Sequence, residues 1–382
     1  MSLLFWFLYR SRWALTFLFF QRAPVVGTVI VVVLTLMIAL FASTLPKDSD
    51  PELPDAWKWI KIYLLLSVIS LCWTSGDKTS AAGYLLITLA ETYTVWRLLW
   101  CKDRTGILHD SMRGLAYGAL FIGLLALTAI GQAEGSRIGN DDFLHPNMVG
   151  YSISLGLFAS VWLWRATFYK RWAAVSTICF AMLLRSFSKT SIVASCFALA
   201  IYFIFFLKVR FRTKVAIALS ASIVVLVLLP LLLTYFDEFV DDPNTGEQNV
   251  LTVSGRTFLW AILVSEYQKK PILGWGFYSV KAFTPDEWDV NALQAHNEIL
   301  QQLFTLGLVG LGVSSVVYFK TARHFLRSRN WFAIMVLLFF VVRGVAEADF
   351  YGLGMPVPMI LLLLPPESDP MHKAHSADLA TS

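Results

Sequence analysis

Val25-Val-Gly-Thr-Val-Ile-Val-Val-Val-Leu34 opens an uncharged apolar run that continues to Thr44. A helix of about 20 such residues crosses the hydrocarbon core of a bilayer, so this run predicts a membrane span. The rest of the chain is built the same way. Of its 382 residues, 57% are hydrophobic and 15% charged, with a mean hydropathy of +0.62, which places it outside the range of ordinary soluble domains. Further spans are expected near residues 59–75, 80–100, 113–131, 147–165, 215–234, 295–319, 331–345 and 353–364. Residues 2–20 are apolar but carry Arg10 and Arg12, and no small-residue cleavage pattern follows, so they read as a retained first helix. The run from Trp172 to Leu207 is too long for one helix and is broken by Arg185-Ser-Phe-Ser-Lys189. Two spans joined by a tight basic turn fit it, because charges at mid-membrane depth need buried partners.

The expected fold class is therefore an all-α polytopic integral membrane protein of about 11–12 transmembrane helices, with one long extracytoplasmic loop containing short amphipathic helices. Residues 1–382 form a single membrane domain, 235–294 the large loop within it, and 365–382 a flexible C-terminal tail. The net charge of +5 is modest, and its Lys and Arg cluster between apolar runs at Lys102/Arg104/Arg113, Arg165/Lys170/Arg171, Lys208 to Lys214 and Lys320 to Arg329. Those clusters mark cytoplasmic loops and give no sign of a nucleic-acid partner. Alternating the spans then puts the long loop, Gln132 to Asn147 and the Arg185/Lys189 turn together on the outer side. The cysteines, Cys72, Cys101, Cys179 and Cys196, form no Cys-x-x-Cys and suggest neither a disulfide framework nor a metal site.

The outer loop carries the polar chemistry. Ser254-Gly-Arg-Thr-Phe-Leu-Trp260 starts a short amphipathic helix that stops at Pro271, with Ser254 as its N-cap and Arg256 in its first turn. A cation there opposes the helix dipole, which makes sense if an anion binds between the free amides and the guanidinium. An interfacial arginine bonding a lipid phosphate is the other reading. Ala295-His-Asn-Glu298 opens the next apolar helix, where a helix N-terminus keeps His296 neutral and able to accept a proton, with Glu298 pushing the other way. A first-turn hydrogen bond is the plainer role for one histidine, and Asn297 can cap or bind a sugar hydroxyl. Gly307, Gly310 and Gly312 read as close helix packing. Arg137-Ile-Gly-Asn140 and His145-Pro-Asn147 add another cation and several amides. Asp237, Glu238, Asp241 and Asp242 lack an EF-hand spacing and read as a solvated face, while Arg343, Glu347 and Asp349 read as an ion pair at a helix end. His372 and His375 in the tail receive no role.

In order along the chain, these residues resemble the O-antigen ligase and Wzy-type polysaccharide polymerase family, an exopolysaccharide-polymerase-like pattern. The resemblance is carried by Gly255/Arg256/Trp260, Pro271/Leu273/Gly274/Trp275/Gly276 and His296/Asn297/Gly307/Gly310, and more weakly by Arg137/Gly139/His145/Pro146/Asn147 and Ser188-Lys189-Thr190. It implies a metal-independent glycosyltransferase of the bacterial inner membrane, active at the periplasmic face, without cofactors, using an undecaprenyl-diphosphate-linked glycan as donor. On that resemblance Arg256 binds the donor diphosphate and stabilises the leaving group, and His296 orients or deprotonates the acceptor hydroxyl. Lys189, Arg185 and Arg137 become further diphosphate contacts, and Asn297, Trp275 and Asn147 glycan contacts. The family has Ser-Arg where this chain has Ser188-Lys189, so either Lys189 or Arg185 fills that place. The product is a lengthened glycan on its lipid carrier, as exopolysaccharide or O-antigen, or in the ligase alternative a glycan transferred to lipid A core. The partners implied are the lipid bilayer and the flippase and chain-length regulator of the same pathway. A non-catalytic polysaccharide transporter, with Glu91 as its candidate mid-membrane charge, is a third reading, weakened by the lack of an inverted repeat.

Overall fold

A computed structural model describes residues 6–7, 24–47, 54–128, 146–206, 215, 219, 256–284 and 294–348. Among them the regular structure is helical. In chain order the helices are α1 (Pro24–Thr44), α2 (Ala56–Ser70), α3 (Lys78–Leu99), α4 (Arg104–Thr128), α5 (Pro146–Thr167), α6 (Lys170–Arg185) and α7 (Lys189–Phe206). Then come α8 (Arg256–Tyr267), a short 3-10 turn (Val280–Phe283), α9 (Glu298–Arg327) and α10 (Trp331–Arg343). Residues 104–127 and 298–327 are long and apolar enough to cross a membrane, and 29–44, 189–204 and 331–343 are shorter apolar helices. The segments 8–20 and 353–364, most of 215–234, and the tail lie outside the described residues.

Helices α4, α5 and α6 pack in sequence, α7 packs on α10, and α2 packs on α9. Their shared core is aromatic and aliphatic, with Phe158, Trp172, Leu183, Tyr202, Phe325 and Phe339 almost fully buried. The apolar run 172–207 is split as its charges require. Helix α6 ends at Arg185, Ser186 to Ser188 turn the chain, and α7 starts at Lys189.

Helix α9 departs from the expected span 295–319. It starts at Glu298, capped by the Asn297 side chain, which accepts from the Leu300 amide at 2.9 Å. His296 therefore lies just before the helix, in a left-handed conformation, and not in its first turn. The helix also breaks at Gly307, whose φ of 67° belongs to the left-handed region.

The segment Pro271–Gly276 fills that break. In an unbroken helix the Leu308 and Val309 amides would bond the Phe304 and Thr305 carbonyls. Here Phe304 O accepts from Trp275 N and Thr305 O from Gly276 N, both at 2.8 Å. In return Leu308 N donates to Pro271 O at 2.9 Å and Val309 N to Ile272 O at 3.3 Å. The loop thus satisfies four backbone groups that the kink would leave unpaired, which apolar surroundings make costly. Close packing was the sequence expectation for Gly307; the reason it must be glycine is this splice, since a Cβ there would stand 2.2 Å from Ile272 O. The same loop bonds the turn after α2, with Ser75 N donating to Trp275 O at 3.0 Å and Thr74 Oγ1 to Phe277 O at 2.7 Å.

Gly307→Ala is expected to lower stability by at least about 1–2 kcal/mol, from left-handed strain alone. Gly312→Ala, where nothing lies within 4 Å of the added methyl, should not lower it and can raise it by up to about 1 kcal/mol. Thermal unfolding of the two variants in the same detergent checks the contrast.

Candidate functional site

Chains of hydrogen bonds bring the starts of α5, α7, α8 and α9 and the end of α10 together at one end of the bundle. At their centre is Glu347, four residues past Arg343, with its side chain 2% exposed. Its amide bonds the Arg343 carbonyl at 2.9 Å, which continues the helical turn beyond α10. A carboxylate buried this deeply must be neutralised or hydrogen-bonded. It is both. Arg256 Nη2 donates to Oε1 at 2.8 Å, Asn147 Nδ2 donates to Oε1 at 2.9 Å, and His296 Nδ1 lies 3.0 Å from Oε2. Gln294 Nε2 stands 3.5 Å from Oε2.

Burial pushes the Glu347 carboxyl up, but the His296 hydrogen bond and the charges of Arg343 and Arg256 outweigh it and hold the group well below the usual carboxylate range. The ionised carboxylate can only accept, so His296 donates to it through Nδ1–H, and Nε2 is the nitrogen turned away from Glu347. The ring is thus oriented, and in a neutral imidazole held this way Nε2 is the nitrogen that accepts a proton.

Each partner is positioned by its own element. Arg256 is the first residue of α8, 12% exposed, and also donates to the Ala346 carbonyl. Four residues on, Trp260 Nε1 donates to Ala295 O at 2.8 Å, and Leu259 and Leu263 pack with Ala295, Leu300 and Phe304. This anchoring fixes α8, and so Arg256, against the segment that carries His296. His296 is 21% exposed and reachable from outside. Asn297 caps α9 and donates to Val345 O at 2.9 Å, while Glu298 N bonds Gly344 O at 2.8 Å. Both tie the chain after α10 to the start of α9.

Of the residues singled out from the sequence, Arg256, His296 and Asn147 meet at Glu347. Asn147 Oδ1 accepts from Ser188 Oγ at 3.1 Å, which joins the basic turn to the cluster. Lys189, the first residue of α7, is half-buried beside Ser188, and Arg185 is exposed at the end of α6 with its guanidinium 5.8 Å from the Phe187 ring centre. Asn297 is engaged as cap and tether. Trp275 stands with the splice, its indole N–H on Glu266 O at 3.0 Å and Lys270 Nζ 4.0 Å from its ring centre. Arg137, His145, Ser254, Gly255 and Asp349 lie outside the described residues. Glu298, expected to act on His296, is instead buried and accepts from Gln302, whose own Oε1 accepts from Tyr63 at 3.0 Å.

The centre of the site was missed in the sequence, where Glu347 read as a partner of Arg343 and Asp349. Its partners Arg256 and His296 lie 91 and 51 residues away. The available signal was an acid one helical turn beyond a buried arginine.

Because the folded Glu347 is more acidic than the unfolded one, its contribution to stability is complete above the ordinary carboxylate pKa and is lost as pH falls through the lower folded value. With His296→Gln as background, so that the imidazole does not titrate, further change of Glu347→Gln should cost a constant amount of stability from pH 8 to about pH 5. The cost should shrink below about pH 4.3. Thermal unfolding across that range checks this.

Among curated proteins, no match to the chain was found. Residues 174–315 match the family described as O-antigen ligase, a segment that runs from within α6, through the basic turn, Arg256 and the spliced loop, to His296 and the break in α9. Over that segment the chain is similar to the O-antigen ligase family, in line with the resemblance carried by Gly255/Arg256/Trp260 and His296/Asn297.

Proposed function

We propose that the chain is a multi-pass glycosyltransferase of a bacterial inner membrane, with about 11–12 spans and its site on the periplasmic side. It polymerises undecaprenyl-diphosphate-linked repeat units. The observation that carries this reading is the Arg256–Glu347–His296 cluster, which sets a reachable cation and an oriented imidazole on one buried carboxylate. Glycosyl transfer from a diphosphate needs both. The acceptor hydroxyl attacks the anomeric carbon and passes its proton to His296 Nε2, and the bond from that carbon to the diphosphate oxygen breaks. The charge that grows on the leaving diphosphate is met by Arg256, with Lys189 or Arg185 from the basic turn and Arg137 as further contacts. Fixed cations in a partly dry site supply this stabilisation, so the reaction is expected to be metal-independent. Asn147 and Asn297 border the site where the glycan would lie, and the apolar helices offer a surface for the lipid tail.

The match to a family described as O-antigen ligase favours a second reading, transfer of the finished glycan to lipid A core. The two differ only in acceptor. Purified protein given a lipid-diphosphate-linked repeat unit and excess EDTA should yield longer glycan still attached to its lipid. Product only on addition of lipid A core would establish the ligase, and no transfer with either would favour a transporter.

Arg256→Ala should slow transfer by about a hundredfold to a thousandfold, and His296→Ala by about a hundredfold to ten-thousandfold. Normal rates in both would remove the proposed site. Lys189→Arg should keep most activity and Lys189→Ala lose much of it. Full activity in the alanine variant would pass the second diphosphate contact to Arg185.

A further inference from the structure

Arg343 has no task in the reaction as written, yet it is an arginine only 2% exposed at the end of an apolar helix. A cation in such a place marks a function unless its environment is merely closing a gap. Its guanidinium is held from several sides. Nε donates to Ser191 Oγ on α7 at 3.1 Å, Nη2 donates to the Asn147 carbonyl on α5 at 3.2 Å, and the Tyr151 ring centre lies 4.8 Å from Cζ. Ser191 in turn is bonded to Ser188 at 2.9 Å, and Ser188 to the Asn147 side chain. Asn147 is therefore gripped by Arg343 through its main chain while its own amide grips Glu347. The result is a continuous chain, Arg343 to Asn147 to Glu347 to His296, running from the helix core to the imidazole.

The two arginines around Glu347 differ in access. Arg256 is partly exposed and starts a helix, so an incoming diphosphate can reach it; Arg343 is sealed behind α5 and α7. A diphosphate that engages Arg256 competes with Glu347 for that guanidinium and adds negative charge beside the carboxylate. Unopposed, this would drive Glu347 to move or take up a proton, and His296 would lose the acceptor that fixes its tautomer. We propose that Arg343 is a positioning residue, the reserve counter-charge that keeps the Glu347 carboxylate seated against His296 once a diphosphate has engaged Arg256. This rests on the transferase reading above. The groups that face Glu347 are Arg256 from α8, Gln294 and His296 from the segment before α9, Arg343 from α10 and Asn147 from α5, with Tyr151 behind Arg343. Once Arg256 is engaged by substrate, Arg343 is the arginine left to Glu347 within that set.

The test uses full-length protein in lipid nanodiscs with a lipid-diphosphate-linked repeat unit, measuring donor binding and the transfer rate against pH. Arg343→Gln should bind donor within about threefold of wild type while its rate at pH 7 falls about a hundredfold. The acidic limb of its rate profile should move up by about one pH unit, and Arg343→Lys should recover part of both. If Arg343 acts through Glu347, Arg343→Gln combined with Glu347→Gln should be no slower than Glu347→Gln alone. An unchanged pH profile and rate in Arg343→Gln would overturn the proposal. So would a matching loss of donor binding, which would make Arg343 a direct diphosphate contact. Should Arg343→Gln fail to fold, the pH profile of Arg343→Lys decides, since a less well held carboxylate must still shift it. Absence of transfer by the wild type with every acceptor would instead refute the transferase reading, so the two failures are separable.

Discussion

A single buried carboxylate cannot be left unpaired in an apolar helix bundle, and Glu347 organises its end of the molecule for that reason. Removing one partner of such a group costs about 3–5 kcal/mol, far more than any surface ion pair contributes. Satisfying it draws Arg256, His296, Asn147 and, through Asn147, Arg343 and Ser188 into one network. Those residues come from α5, α8 and α10 and from the segments that border α7, α9 and α10, distributed over 200 positions of the chain, from Asn147 to Glu347. The electrostatics that hold the fold at this end are the same electrostatics that a diphosphate substrate would use. A partly exposed cation, an oriented imidazole and a sealed second cation are what remains available once the carboxylate is satisfied.

Precision in such a cluster needs rigid supports, and the splice at Gly307 provides one. The Pro271–Gly276 segment follows closely on α8, and α9 begins just after His296. Stitching that loop into the break of α9 ties Arg256's helix to His296's helix by backbone bonds on both sides of the kink. Trp260 on Ala295 adds a side-chain tie near the site itself. The aromatic and glycine pattern of the loop thereby acquires a mechanical reason. Gly274 and Gly276 both have positive φ, and Trp275 is pinned by its indole N–H and by Lys270 above its ring.

Much of this was legible beforehand because it rests on local physics. Apolar runs predicted helices close to where they occur, and the charges of Arg185 and Lys189 predicted the turn between α6 and α7, since neither fits at mid-membrane depth. Arg256 and His296 stood out as polar groups at the mouths of apolar helices. The start of α9 was placed early, at 295, because Ala295 to Asn297 run straight into the apolar pattern and only the bond from Leu300 N to the Asn297 side chain fixes the cap at 297. The break at Gly307 was not visible, because a glycine in an apolar run reads equally well as close packing.

Composition and periodicity therefore determined the helical class, the order of the helices and the residues carrying charge into a polar loop, since each of these depends on neighbours within a turn or two. Tertiary structure alone decided that Glu347 is the centre, that Arg256 and His296 share it, that Arg343 is sealed behind it, and that Pro271–Gly276 completes a broken helix. Each of those depends on hydrogen bonds between residues tens to hundreds of positions apart. Such pairings are set by how the helices pack and where a buried group can find a partner, and neither is written in the local pattern of the chain.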